Sequence, residues 1–279
     1  MRKSTIIAIV ALWGAAAPTG YAAPLGYSGG TITENFDTLP TNVTNPAQTG
    51  LSKTAFYLNP AVNNLTGLTG WQGNNVLGTN TASEFRSQDG SLAGSAGRGV
   101  ISFGINGSAE RALGALPTSN QINQFGLVLE NNSQQTYVSF DLSFVGEQWR
   151  RGEPGVTNTM TFAFGEAASI DGALVNDALL SFANPNNQAA PTEVALDGNL
   201  PANQVAVSGS VLGLNWAPGE TLVLRWSISE GSGQDNGLGI DDFQFTAHPV
   251  PEPSTLALGV VALVGLGRCA VRRVRRRAA

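Results

Sequence analysis

Between residues 136 and 145 the chain alternates without a break. Val138, Phe140, Leu142 and Phe144 fall on one face, and Tyr137, Ser139, Asp141 and Ser143 on the other. A period of two with a single apolar face predicts a half-buried antiparallel strand. Residues 221–229 repeat the pattern: Leu222, Leu224, Trp226 and Ile228 point one way, Val223 and Arg225 the other, and a Pro218-Gly219 turn precedes them. Shorter runs predict further strands over 99–105, 110–116, 124–130, 159–165, 204–208 and 240–246, with Asn106-Gly107 as a hairpin turn. The polar stretch 41–82 is expected to form long loops, and 171–180 one short helix. No fixed-period repeat is present. Many short strands separated by Gly- and Asn-rich turns predict an all-β protein, a jelly-roll-like antiparallel β-sandwich with Trp71, Trp216 and Trp226 in its core.

The two ends break this pattern. Arg2 and Lys3 precede an apolar run over 5–17, and Gly20 and Ala22 supply small residues at −3 and −1 of a cleavage point after Ala22. Residues 1–22 thus read as a secretory signal peptide, which implies the Sec translocon and signal peptidase as partners. At the other end Pro251, Glu252, Pro253 and Ser254 lead into an apolar segment over 256–266. A basic cluster follows: Arg268, Arg272, Arg273, Arg275, Arg276 and Arg277. The prolines fix φ and remove two backbone donors, so this motif is extended and reachable. The apolar segment predicts a hydrophobic helix shorter than the roughly 20 residues that span a bilayer. Snorkelling by Arg268 and Arg272 lengthens its reach, and the arginines stay on the cytoplasmic side. A plain membrane anchor or an amphipathic surface tail would fit the same physics. The order of the three parts resembles the PEP-CTERM sorting tail of Gram-negative bacteria. That resemblance implies an exosortase as partner, cleavage near the motif, and passage through the inner membrane to the cell surface or extracellular matrix. Three parts result: signal peptide 1–22, β-sandwich ectodomain 23–248 and sorting tail 249–279.

Charge looks different once the ends are set aside. Residues 23–249 contain seven basic residues (Lys53, Arg86, Arg98, Arg111, Arg150, Arg151, Arg225) against nineteen acidic ones, a net charge of −12. A nucleic-acid partner is excluded on these grounds; divalent cations and neutral extracellular polysaccharide suit the body better. Its only cysteine, Cys269, lies in the tail, so the body has neither disulfides nor cysteine-ligated zinc.

Asp235, Asn236, Asp241 and Asp242 form the densest group of hard oxygen donors, which suits Ca²⁺, although their spacing is not that of an EF-hand. A solvated turn capped by Asp241 fits the same residues. The body resembles the lectin-like and carbohydrate-binding-module-like ectodomains found with this type of tail. The residues that carry the likeness are Glu34-Asn35-Phe36-Asp37, Trp216-Ala217-Pro218-Gly219-Glu220 and Gly237-Leu238-Gly239-Ile240-Asp241-Asp242-Phe243. It implies that first and last strands pair, with Glu34 and Asp37 joining Asp241 and Asp242 around a structural calcium. Trp149, beside Glu147, Arg150 and Arg151, offers the aromatic-plus-polar chemistry of a sugar site, with Trp149 and Arg150 as ligand-binding candidates. The same position suits a tryptophan packed beneath a loop.

Catalytic signals are sparse. The only histidine, His248, stands next to the tail, which leaves no base in the body for a Ser-His-Asp or Cys-His mechanism. Glu147, Glu166 and Glu230 are the conceivable glycosidase carboxylates. The sequence therefore predicts a non-enzymatic structural or adhesive protein, with a dedicated polysaccharide-binding module as the alternative.

Overall fold

The computed structural model describes residues 23–41, 48–51, 56–57, 68–76, 83–92, 97–117, 122–189, 191 and 193–250. The signal peptide, the Pro-Glu-Pro motif, the hydrophobic segment and the arginine cluster lie outside the described residues. Among the described residues, no helix is long and apolar enough to cross a membrane.

In chain order the strands are β1 (Leu25–Tyr27), β2 (Thr31–Glu34), β3 (Gln48–Leu51), β4 (Phe56–Tyr57), β5 (Trp71–Val76), β6 (Ser83–Gln88), β7 (Gly99–Phe103) and β8 (Ala112–Leu116). They continue with β9 (Ile122–Asn131), β10 (Tyr137–Arg151), β11 (Thr159–Glu166), β12 (Val175–Ala183), β13 (Val194–Ala195), β14 (Gln204–Trp216), β15 (Thr221–Ser229) and β16 (Gly237–Pro249). One sheet runs β12-β11-β15-β9-β5-β4, with β1 added parallel to β9. The other runs β13-β10-β16-β8-β7-β6-β3, with β14 on β10 and β2 on β16. The chain changes sheet repeatedly, at β1–β2, β3–β4, β5–β6, β8–β9, β9–β10, β10–β11, β12–β13, β14–β15 and β15–β16, which is the jelly-roll-like sandwich expected.

The alternation explains the core. Phe140, Leu142 and Phe144 of β10 meet Leu222, Leu224, Trp226 and Ile228 of β15 between the sheets, all buried. Trp226 lies nearly parallel to Trp71 at 6.0 Å and to Phe125 at 5.9 Å. Trp216 stacks on Tyr27 at 5.5 Å, which tethers the first strand to the closing end of the sandwich. Each such ring contributes roughly 1.5–3 kcal/mol by leaving water.

Three expectations change. The helix over 171–180 is instead a turn followed by β12. Asp177 Oδ1 accepts the Leu179 and Leu180 N–H groups at 2.8 and 3.2 Å, and this one capped turn bulges from a strand paired with β11. A segment this short gains more from sheet pairing than from an isolated helix. Within 41–82, expected as loop, β5 forms a full partner of β9 from Trp71 to Val76. Its polar alternation hides the strand, because Gln72 and Asn74 are buried on the outer face. The hairpin containing Asn106-Gly107 joins the antiparallel β7 and β8, but its connection runs over 104–111 rather than two residues.

Candidate functional site

Glu34 ends β2 directly opposite Phe243 of β16, so the second strand, not the first, pairs with the last, while β1 lies on β9 in the other sheet. One Glu34 oxygen, Oε1, accepts the Phe36 N–H at 2.9 Å. Burial holds its carboxyl above the ordinary value, partly offset by the Phe36 and Asn35 amides. Asp242 adopts the left-handed region at φ 49°, where the pairing of β16 with β10 slips between Ser143 and Val145. That bulge turns Asp242 toward Glu34, and the two, with Thr33, Asn35, Phe243 and Gln244, line an open concavity of about 320 Å³.

The other two calcium candidates lie apart from it. Asp37 sits in a turn, where its Oδ2 accepts Asn35 Nδ2 at 2.7 Å, while Oδ1 is buried without a partner. Asp241 is only 5% exposed and meets Glu110 carboxyl to carboxyl. Burial pushes it well up, and Glu110, Glu147 and Asp242 add to the rise. Glu147 is pushed up to about 7, again mainly by burial. Among the described residues, no three His, Cys, Asp or Glu side chains converge closely enough to hold a metal by themselves.

Asp235 and Asn236 are loop fasteners. Asp235 Oδ1 accepts from Asn158 Nδ2 and Gly231 N, both at 2.8 Å, and Asn236 Oδ1 accepts from Gln148 Nε2 and Gly152 N at 2.9 and 3.0 Å.

Trp149 is 1% exposed. Its ring packs parallel to Phe103 at 6.2 Å, and Gly198 abuts it so closely that a Cβ there would fall 2.3 Å from the indole. Its N–H is donated to Glu147 Oε2 at 2.8 Å, and Gln204 Nε2 donates to Glu147 Oε1 at 3.0 Å. Arg150 is equally enclosed, donating to Gly90 O at 2.9 Å and pairing with Glu193 at 3.5 Å. The structure thus encloses both ligand candidates, Trp149 beneath the loop that follows β13 and Arg150 against Gly90 and Glu193, with no face of the Trp149 ring open to solvent.

The open surface lies further along the same sheet. Asp141 and Ser143 of β10, Ser208 and Ser210 of β14, and Gln244 and Thr246 of β16 line a second shallow concavity of about 350 Å³. Asp141 stands at its centre. Ser210 Oγ donates to its Oδ1 at 2.5 Å, and His248 Nε2 lies 2.7 Å from its Oδ2. Those two contacts, Ser210 first, hold the Asp141 carboxyl below its usual value. Every aromatic side chain described is buried or half-buried. Sequence reasoning had Ser139, Asp141 and Ser143 on a polar face. It missed the contribution of β14, because the expected strand stopped at 208, short of Ser210.

The sandwich closes where Val250 N donates to Thr136 O at 3.1 Å, and the remaining chain leaves from that point. Residues 249–276 match the PEP-CTERM protein-sorting motif. The chain carries a PEP-CTERM sorting tail. With this tail it is an exported, exosortase-processed protein of the surface or extracellular space of a Gram-negative bacterium. No curated protein is significantly similar to the chain. Among solved structures it is similar to TmCBM61 in complex with β-1,4-galactotriose, at 10% identity and a TM-score of 0.27, covering 51% of this chain and 74% of that one. The CBM22-1 xylan-binding domain from Paenibacillus barcinonensis Xyn10C aligns at 11% identity and 0.31, covering 82% and 100%. The enzymatically active domain of bacteriophage CBA120 tailspike protein 4 aligns at 11% and 0.32, covering 65% and 20%.

Proposed function

We propose that residues 23–248 form a non-enzymatic structural or adhesive module. Signal peptidase releases it after Ala22 on export through the Sec translocon, and the PEP-CTERM tail delivers it to the surface matrix. The observation that carries this reading is the enclosure of the aromatic side chains among the described residues. Sugar-binding clefts stack pyranose faces on exposed rings, and the open sheet face around Asp141 presents hydroxyls, an amide and a carboxylate instead. Catalysis finds no support there either, since Ser210 donates to Asp141 and not to His248, leaving no relay from hydroxyl to imidazole.

A matrix polysaccharide remains the natural contact of such a face, through many weak hydrogen bonds in place of a defined ligand pocket. Calcium is proposed between Glu34 and Asp242. Ca²⁺ takes six to eight oxygens, including carbonyls, and Asn35 adds an amide to the two carboxylates.

Binding of the exported protein to extracellular polysaccharide gels and to a glycan array tests the choice. The structural reading expects weak, ligand-unselective retention that weakens further in Asp141→Asn/Gln244→Ala. Tight retention on one defined glycan would replace it with the dedicated binding module.

A further inference from the structure

β14 ends the β10 side of its sheet and pairs as a strand only with β10 among the described residues. It is thirteen residues long and contains neither a charge nor a proline. Natural edge strands are normally protected against pairing by being short, by charge, by proline or by a bulge. The other described edges of the two sheets follow that rule: β4 and β13 have two residues each, β1 has three, β2 and β3 have four each, and β12 carries Asp177 and a bulge. Gly213, at φ 78°, bends β14 only near its end.

Apolar exposure gathers at the same place. The three most exposed large hydrophobic residues described are Leu179 at 80%, Leu212 at 79% and Val175 at 65%. Two lie on β12 and one on β14, strands that contact each other along one side of the sandwich. A long, uncharged open strand edge that carries an exposed apolar residue marks an interaction surface.

The sequence of β14 selects the partner. Val205-Ala206-Val207-Ser208-Gly209-Ser210-Val211-Leu212 is nearly palindromic about Gly209. When two identical strands pair antiparallel about a twofold axis at Gly209, each residue meets its mirror. Ser208 faces Ser210, Val207 faces Val211, and Ala206 faces Leu212 of the second copy. Small faces small, apolar faces apolar, and no charge opposes its like, although the body as a whole is strongly acidic. We propose that β14 pairs with β14 of a second copy of this chain, joining two nine-stranded sheets into one continuous sheet across a closed dimer.

The test is sedimentation of the exported protein. The wild type is expected to run as a dimer that dissociates on dilution. Ala206→Lys/Leu212→Lys and Ala206→Glu/Leu212→Glu alter only exposed side chains and set like charges opposite each other, so each alone should run as a monomer. An equimolar mixture of the two sets Lys against Glu and should restore the dimer. A wild type that is monomeric at all concentrations overturns the proposal. So does a dimer that survives in either variant, or a mixture that stays monomeric. Leu212→Ser, which introduces no charge, should raise the dissociation constant at least several-fold; an unchanged constant counts equally against the interface.

Discussion

Trp149 donates its indole N–H to Glu147, two residues earlier on β10, so a buried ring and a buried carboxyl project together from the outer face of one strand. The pair fastens the loop that crosses them, because Leu196 N donates to Trp149 O at 2.9 Å and Gly198 rests on the indole. Residues that look like a sugar platform in the sequence are the keel of a second, smaller core with Ile101, Phe103, Ala112 and Leu116.

Stability should fall with rising pH because of Glu147. Its carboxyl is raised from an ordinary 4.5 to about 7 in the folded protein. Between those values the unfolded chain has lost a proton that the folded chain keeps, so each step upward in pH favours unfolding. The loss across the window is on the order of 3 kcal/mol. Asp241, also raised, extends the same trend toward higher pH. Thermal melts are expected to show a higher midpoint near pH 5 than near pH 8. Glu147→Gln should flatten the profile and raise the midpoint at pH 8; a Gln variant with the wild-type slope would show that another group governs it.

Gly198 should tolerate no side chain. A Cβ at this position meets Trp149 at 2.3–2.4 Å. Gly198→Ala is therefore expected to cost about 1–3 kcal/mol as an overpacked core does. Combining it with Trp149→Phe, which removes the crowded part of the ring, should cost less than the sum of the two. Strict additivity in this double-mutant cycle would mean that the loop and the ring do not share the space.

How far the sequence could be read followed from where each pattern has its cause. β10, β11 and β15 announce themselves because one face is apolar and the other wet, as Phe140 beside Asp141 shows. β5 did not, since the loop after β11 covers its outer face and polar Gln72 and Asn74 become buried partners of that loop, Ile170 N donating to Gln72 Oε1 at 3.1 Å. Local periodicity carries no record of a cover that arrives from about a hundred residues away. The acidic candidates divide for the same reason. Glu34 and Asp242 meet through strand pairing, whereas Glu110 reaches Asp241 only because β8 lies beside β16.

Calcium should stabilise the body modestly if Glu34 and Asp242 hold it. Extracellular modules bind Ca²⁺ with dissociation constants of about 0.1–1 mM, so about 10 mM Ca²⁺ is worth on the order of 1–3 kcal/mol. The melting midpoint is expected to rise with Ca²⁺ and return with EDTA. Glu34→Gln/Asp242→Asn should remove the response, while Asp37→Asn, outside the concavity, should leave it. A midpoint indifferent to both calcium and EDTA would reassign the two carboxylates to an ordinary solvated bulge.

The tail sets up the sharpest expectation. Pro251 and Pro253 carry no backbone N–H and disfavour both helix and sheet, and they follow directly on the last bond of the sandwich, from Val250 to Thr136. Mass spectrometry of the protein from the surface and medium is expected to find an amino terminus at Ala23 and a carboxyl terminus near Pro251 to Ser254, without Arg277. Pro251→Ala/Pro253→Ala removes both prolines of the sorting motif and their restriction on the backbone. That variant should accumulate uncut at the inner membrane, with the body folded to the same melting midpoint, because no described contact of the sandwich reaches past Val250. Uncut wild-type protein in the outer fraction, its arginine cluster intact, would show that the body reaches the surface by another route.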